Sequence, residues 1–356
     1  MLLPDVRRRY ALTVAAPPAR ISVTADPENS EFPFVGLDSW ITPFERFYVR
    51  NHFPVPEIDP DAWRLQVGNG GGARGLTLDE LQALPVRSVV SVLECAGNGR
   101  RYNDPPVKGV QWGQGAVSNG EWSGPSLADL LEAAGVPETN HYAFTGADRG
   151  SVAGVEGEIH FRRSVPRAKA LDPDTLIALR LNGEPLNAAH GAPARLYVPG
   201  WYGMASVKWL VAIEPIDRPV DDYFMAADYT RRVPDGGREA LEWVFPKAEI
   251  ARPAEDAELP AGRVEVTGAA WAGQSPPAKV EVSADGGATW DRAELGGPET
   301  RWGWRLWRWS WKASPGEPRL VTRATDADGR TQPDEPDPDA PGYLNHWVRP
   351  RIIRVR

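Results

Sequence analysis

The residues with the most chemistry to offer fall in three short stretches. Cys95, the chain's single cysteine, closes an apolar, β-branched run and opens a glycine-containing turn in LECAGNGRRYNDPP. A strand end that turns away presents its side chain where ligands commonly bind in mixed α/β structures. Arg100 and Arg101 follow closely, and guanidinium charge beside a thiol favours the thiolate. A lone cysteine also suits a small buried apolar site; its chemical alternatives are a nucleophile or a soft metal ligand. The second stretch, FYVRNHFPVP, carries Arg50 and His52. The third, NAAHGAPARLYVPGWYGMASVKWL, carries His190, Arg195 and Lys208. Lysines number six in the whole chain, so one inside an apolar run stands out. Fixed cations around one thiolate suit an anionic ligand, a phosphate or another oxyanion.

The rest of the chain narrows the class. Its 356 residues suit two domains of ordinary size. A net charge of −8 argues against general nucleic-acid binding. Glycine and proline, 35 of each, stay below the level of low-complexity disorder. One cysteine rules out internal disulfides and cysteine-rich zinc or iron–sulfur centres. No apolar run is long enough for a transmembrane helix, and MLLPDVRRRY has no apolar stretch of signal-peptide length. The chain as given is expected to be soluble and cytoplasmic, or periplasmic if a leader has been removed, with no membrane partner.

The elements that must position these residues read as follows. Residues 1–35 form an extended arm. Trp63–Val67, Ser88–Leu93, Thr175–Leu181, Arg195–Val198 and Val207–Ile213 are strands, with a turn at Asn182-Gly183. Thr77–Leu84 is a short helix, with Thr77 and Glu80 spaced as a capping box and Pro85 as its stop. Ser126–Ala134 is a helix capped by Ser126, with Leu127, Leu130, Leu131 and Ala134 on one face and Gly135 at its end. From about Pro246 the signals are strands alone: Arg263–Thr267, Lys279–Ser283, Trp302–Trp311, Arg319–Thr325 and His346–Arg356. Regular short strands with turns such as Asp285-Gly286-Gly287 predict a β-sandwich. The acidic, proline-rich Thr331–Gly342 reads as a solvated loop within it. In RWGWRLWRWSW the apolar set changes face between Arg305 and Trp307, which predicts a bulge that pushes Arg305 out of the ladder; the alternative is tryptophan covering both faces.

One motif is a decoy. Gly70-x-Gly72-x-x-Gly75 follows a strand, with Glu94 further on, which is formally a dinucleotide fingerprint. The helix after it is too short for a crossover, the third glycine precedes the capping Thr77, and no repeated βα units follow. A flexible glycine loop is the better reading, and a nicotinamide-dependent enzyme comes last among the alternatives.

Taken together, five motifs resemble the molybdenum enzymes of the sulfite oxidase family, in the family's order over nearly the whole chain. They are DSWITPFERFYVRNHFPVP, LECAGNGR, VKGVQWGQGAVSNGEWSGPSLADLL, HGAPARLYVPGWYGMASVKWL, and the C-terminal pair VEVSADGGATW and WGWRLWRWSW. The resemblance implies an α+β architecture: a mixed α/β molybdopterin-binding domain over 1–245, then an all-β immunoglobulin-like dimerisation domain over 246–356. It implies molybdenum held by a molybdopterin and the thiolate of Cys95. Tyr48, Val49, Arg50, Asn51, His52, Asp148, His190, Arg195, Ser206, Val207 and Lys208 would contact the pterin, the cations serving its phosphate. Arg50, Arg100 and Arg305 would surround the substrate oxyanion, Trp112 would wall the pocket, and Tyr229 would bond near the metal. The turn reads Cys-Ala-Gly-Asn-Gly-Arg where some members have two arginines, with Arg100 keeping its spacing from Cys95, and Thr230 follows the tyrosine where many members have lysine.

The implied activity is oxidation of sulfite to sulfate by oxygen-atom transfer. Electrons would leave to a separate acceptor such as a c-type cytochrome, because nothing in the chain resembles a haem domain. An arginine at Arg305 favours sulfite over nitrate or a sulfoxide, the same-scaffold alternatives. A noncatalytic binding protein is the alternative of a different class, and the intact Cys95, Asp148, His190, Arg195 and Lys208 set speaks against it. A homodimer is the implied assembly.

Overall fold

A computed structural model describes residues 19–356 of the chain. Strands dominate. Four short α-helices occur among the described residues, the longest being Leu127–Ala133. The first domain is thus poorer in helix than an α+β reading expects. Both predicted helices are present. Thr77 and Glu80 form a reciprocal capping box on Leu78–Gln82, and Ser126 caps Leu127–Ala133 through the Asp129 amide.

Two sheets frame the first domain. In one, Arg74–Leu76, Leu65–Val67, Leu210–Ile216, His141–Gly150 and Ile159–Pro166 lie side by side, with Leu65–Val67 parallel to Leu210–Ile216 and the other pairs antiparallel. In the other, Val86–Glu94 and Val117–Pro125 pair residue for residue from Val86↔Pro125 to Glu94↔Val117. Arg180–Leu181 continues that sheet, and its hairpin to Glu184–Pro185 turns at Asn182-Gly183, both with positive φ. The Gly70–Gly72 segment is a single 3-10 turn leading into the Arg74–Leu76 edge strand, which disposes of the nucleotide fingerprint.

Of the arm expected over 1–35, residues 1–18 lie outside the described residues. The remainder is not extended. Ile21–Thr24 and Asn29–Glu31 form a hairpin that adds Val49–Arg50 as a third strand, and Asn29, Ser30, Glu31 and Phe32 are buried. This hairpin sits directly behind Arg50.

The C-terminal part holds two four-stranded antiparallel sheets. Lys247–Arg252, Gly262–Trp271, Arg305–Ala313 and Glu294–Gly296 make one; Asp291–Arg292, Pro277–Ser283, Arg319–Asp326 and Arg351–Ile352 make the other. Side chains of both, among them Ile250, Val266, Val282, Trp307, Leu320 and Ala324, share one apolar core. The last strand is not continuous over 346–356: only Arg351–Ile352 and Arg354–Val355 pair.

Two expectations for this half are overturned. The Arg305–Ala313 strand pairs with Gly262–Ala270 in unbroken register, so there is no bulge and Arg305 stays in the ladder opposite Ala270. The face change has another cause. Trp302 bridges to Ser91 of the first domain, and Trp304 packs in the first domain's core, exchanging indole-to-carbonyl bonds with Trp40. The run thus serves two cores in succession, and the strand begins after the first two tryptophans. Likewise, Thr331–Gly342 is not a loop confined to the second domain. It runs back over the first, where Ala340 and Leu344 join its core.

Candidate active site

Cys95 ends the Val86–Glu94 strand, and the chain turns at once: the Asn98 amide bonds the Cys95 carbonyl at 2.9 Å, and Gly99 takes a left-handed conformation. The thiol is thereby aimed into a cleft of about 670 Å³, counting its open mouth. Its lining brings together Tyr48, Arg50, His52, Asp148, His190, Arg195, Ser206, Lys208 and Tyr229 with Cys95. Val49, Asn51 and Val207 lie buried just behind.

One end of the cleft is rich in cations. A 3-10 turn over Ala188–His190 is capped by the Asn187 side chain on the His190 amide. It closes on Gly191 at φ 100°, where a Cβ would stand 2.9 Å from Lys208 Cβ, so glycine lets the lysine pass. Lys208 Nζ donates to the Ala189 carbonyl at 2.9 Å and to Asn51 Oδ1, and sits 4.0 Å over the Trp209 ring. Arg195 is buried and donates to the carbonyls of His190 and Ser206 at 3.1 and 2.8 Å. Among the described residues neither cation bonds a carboxylate, though the charge of Asp148 acts on Lys208 through space. Burial, then the Arg195 charge, hold the Lys208 ammonium well below its usual range, and burial lowers Arg195 to about 10. Burial, then Lys208 and Arg195, keep His190 neutral. Asp148 is raised to about 7 by burial, against the pull of Lys208.

The other end holds Arg50 and Tyr229. Arg50 Nη2 reaches His52 Nδ1 at 3.0 Å and donates to the Tyr229 hydroxyl at 3.3 Å. The phenol oxygen accepts this bond, so its own proton is free to point into the cleft. Burial pushes Tyr229 up to about 12, and burial with the Arg50 charge lowers His52 to about 4. Across neutral pH this end therefore presents one guanidinium, one phenol proton and a neutral imidazole.

Three residues expected around the substrate, Arg305, Arg100 and Trp112, do not line the cleft either. Arg305 is held away from it by Glu299 Oε2 at 2.8 Å and the Gly296 carbonyl at 3.5 Å, at the edge of the second domain's sheet. The placement of Arg305 around an oxyanion is thus corrected, and the preference for sulfite that rested on it falls away. Arg100 stands behind the wall, its Nε on the Gly342 carbonyl at 2.9 Å and its Nη1 on that of Val110 at 3.1 Å. Trp112 is fully buried in the packing beneath Cys95. Conversely, Phe161, Met204 and Trp209 line the cleft without having been singled out. Trp209 adjoins Lys208 in VKWL, a signal that aromatic–cation adjacency could have supplied.

The arrangement is that of a protein which holds an anionic group beside a strand-end thiol. Comparison with known proteins agrees. Residues 52–224 match the model of an oxidoreductase molybdopterin binding domain, and residues 244–355 that of a Mo-co oxidoreductase dimerisation domain. The chain is 35% identical over 339 residues to the mitochondrial sulfite oxidase of Drosophila melanogaster, covering 87% of this chain and 58% of that protein. It is 35% identical over 368 residues to the sulfite oxidase of Gallus gallus, covering 91% of this chain and 78% of that one. It superposes on the sulfane dehydrogenase SoxCD of Paracoccus pantotrophus with a TM-score of 0.82 and 26% identity, over 95% of this chain and 90% of that one. The chain belongs to the sulfite oxidase family of molybdopterin oxidoreductases. It spans about three fifths of the length of the Drosophila relative.

The residues present fit a molybdopterin. Buried cations that bond no carboxylate cost several kcal/mol each unless an anion joins them, and the cofactor's phosphate is such an anion. Buried polar atoms without partners flank the same end: Asn51 Nδ2, His190 Nε2 and Arg195 Nε.

Proposed function

We propose that this protein oxidises sulfite to sulfate with a molybdopterin cofactor. The observation that carries the reading is the cleft itself: a thiol at a strand end between a wall whose lysine and arginine bond no carboxylate among the described residues and a single arginine–tyrosine pair. In this reading Arg195, Lys208 and neutral His190 hold the pterin phosphate, Tyr48 through His52 and Ser206 bound the pterin, and Cys95 is the protein's ligand to molybdenum. When bound, the cofactor supplies two-electron oxygen-atom transfer.

The chain's own residues then do three things. Arg50 draws the oxyanion in and orients it, as guanidinium does for planar or pyramidal oxyanions. Tyr229 donates its phenol proton to an oxygen of that anion. His52, neutral above about pH 4, fills the wall without adding a second positive charge beside Arg50. In balance, sulfite and water become sulfate, two protons and two electrons, and the electrons go to a separate acceptor, for which a c-type cytochrome is the proposal. The match to a dimerisation domain supports a homodimer.

The likeness to SoxCD supports a second sulfur substrate, a sulfane sulfur, on the same site. Steady-state assays on molybdenum-loaded protein with sulfite, a sulfane, nitrate and a sulfoxide, using an artificial dye acceptor or donor, separate these. Turnover of sulfite with the highest kcat/KM supports the proposal; preference for any of the others refutes it. Arg50→Gln is expected to lower kcat/KM for sulfite by about a hundredfold, the loss of one charge-assisted contact in a desolvated site.

A further inference from the structure

We propose that Tyr343, carried by the segment that returns from the second domain, is a positioning residue for Tyr229. The inference rests on the proposed sulfite chemistry for its kinetic consequence and on the chain's geometry alone for the rest.

The returning segment is a strap tied at both ends by one side chain. Gln332 Oε1 accepts from the amides of Ala248 and Ala324 at 2.7 and 2.8 Å, and its Nε2 donates to the His346 carbonyl at 2.9 Å. Between those ties the strap is pinned to the first domain. The Arg232 amide donates to the Asp339 carbonyl at 2.9 Å, Ala340 is buried, and the Leu344 amide donates to the Ala96 carbonyl at 3.2 Å, one residue past Cys95.

Tyr343 sits at the centre of this closure. Its hydroxyl donates to Asp228 Oδ1. The same oxygen accepts the backbone N–H of Tyr229 at 2.9 Å. Tyr229 has a φ of 51°, a left-handed conformation that a β-carbon-bearing residue holds only when its surroundings fix it. Asp228 supplies that fixing, and Tyr343 fixes Asp228. The two tyrosine rings lie 5.5 Å apart. The Arg100 guanidinium also lies over the Tyr343 ring, 4.9 Å from its centre. One side chain of the second domain therefore sets both the backbone of Tyr229 and the seat of Arg100, while Arg305, in that same domain, sets neither.

The test uses molybdenum-loaded full-length protein with two substitutions. Tyr343→Phe keeps the ring and removes only the bond to Asp228; Tyr343→Leu removes both. With molybdenum content and fold as in the wild type, Tyr343→Phe should lower kcat for sulfite by about tenfold with KM nearly unchanged, the pattern of a contact realised in the transition state. Amide exchange in the peptide containing Tyr229 should quicken by about tenfold, without change in the second domain's sheets. A wild-type kcat in Tyr343→Phe overturns the proposal, even if Tyr343→Leu is impaired, since packing alone would then explain the residue. If the wild type leaves sulfite unoxidised, the substrate reading fails by itself. Positioning is then judged by exchange: quickening in Tyr343→Phe supports it and wild-type exchange overturns it.

Discussion

Two interior lysines show what separates a binding wall from a structural seam. Lys247 lies between the two domains, 2% exposed, and is met by carboxylates: Glu94 Oε1 at 3.4 Å and Glu249 Oε1 at 3.7 Å. Glu94 is in turn bonded by Trp271 Nε1 at 2.8 Å and Asn98 Nδ2 at 3.0 Å, so the ion pair is enclosed and its remaining lone pairs are satisfied. Lys208, facing the cleft, is met by a carbonyl, an amide oxygen and an indole ring. The first lysine is complete within the chain. The second bonds no carboxylate among the described residues, feels the charge of Asp148 only through space, and faces a cleft that an anion from outside can enter. Both stand near the cysteine: Glu94 precedes it, so the seam braces the thiol's backbone while the wall faces the thiol across the cleft.

Substitutions should separate the two. Lys247→Met leaves Glu94 buried without its partner, and should cost about 3–5 kcal/mol in denaturant unfolding of the cofactor-free protein. Adding Glu94→Gln should recover part of that loss; no recovery would deny that the pair is coupled. His346 belongs to the same seam, stacked on Phe245 with ring centres 4.8 Å apart, and burial holds its pKa near 4. The unfolded chain binds that proton near pH 6.5 and the folded one only near 4, so the stability it confers is full above 6.5 and is lost as pH falls through that window. Wild type should therefore lose about 3 kcal/mol more than His346→Phe between pH 6.5 and 4, in urea titrations at each pH. Lys208→Met should behave oppositely to Lys247→Met. The cofactor-free protein should keep or gain stability, while cofactor affinity falls by about 2 kcal/mol or more, read as cofactor lost on gel filtration. Arg305→Met marks the small end. An ion pair with Glu299, itself 72% exposed, is worth about 0–1 kcal/mol, and kcat/KM should change less than about twofold. A large kinetic loss there would restore Arg305 to the site.

What the sequence made legible follows from how local each signal is. Thr77 with Glu80, Ser126 with Asp129, and the Asn182-Gly183 turn act within four residues, and each forms as read. The strand ending at Cys95 was visible in its β-branched run, and the cleft gathers residues from all three stretches that chemistry alone singled out. The failures are long-range. The alternation in RWGWRLWRWSW predicts one strand, bulged at Arg305 or covered by tryptophan on both faces, but Trp302 and Trp304 answer to a different core. Tyr343 follows an acidic, proline-rich run whose composition says solvent; only its return to Asp228, 115 residues away, gives it a role. Glu94 entered as part of a decoy fingerprint and proves to be the carboxylate of the seam. No periodicity encodes such pairings, because they depend on how two separately folded cores abut.

The central question is whether the cleft holds its cofactor by the cation wall and the Cys95 thiol. The direct measurement is molybdenum and pterin content of protein produced in a host that makes the cofactor, for wild type, Cys95→Ala and Lys208→Met side by side. About one molybdenum and one pterin per wild-type chain are expected, with molybdenum lost in Cys95→Ala, both lost in Lys208→Met, and all three proteins folded. Folded wild-type protein without molybdenum, or Cys95→Ala and Lys208→Met that keep it fully, would contradict the account.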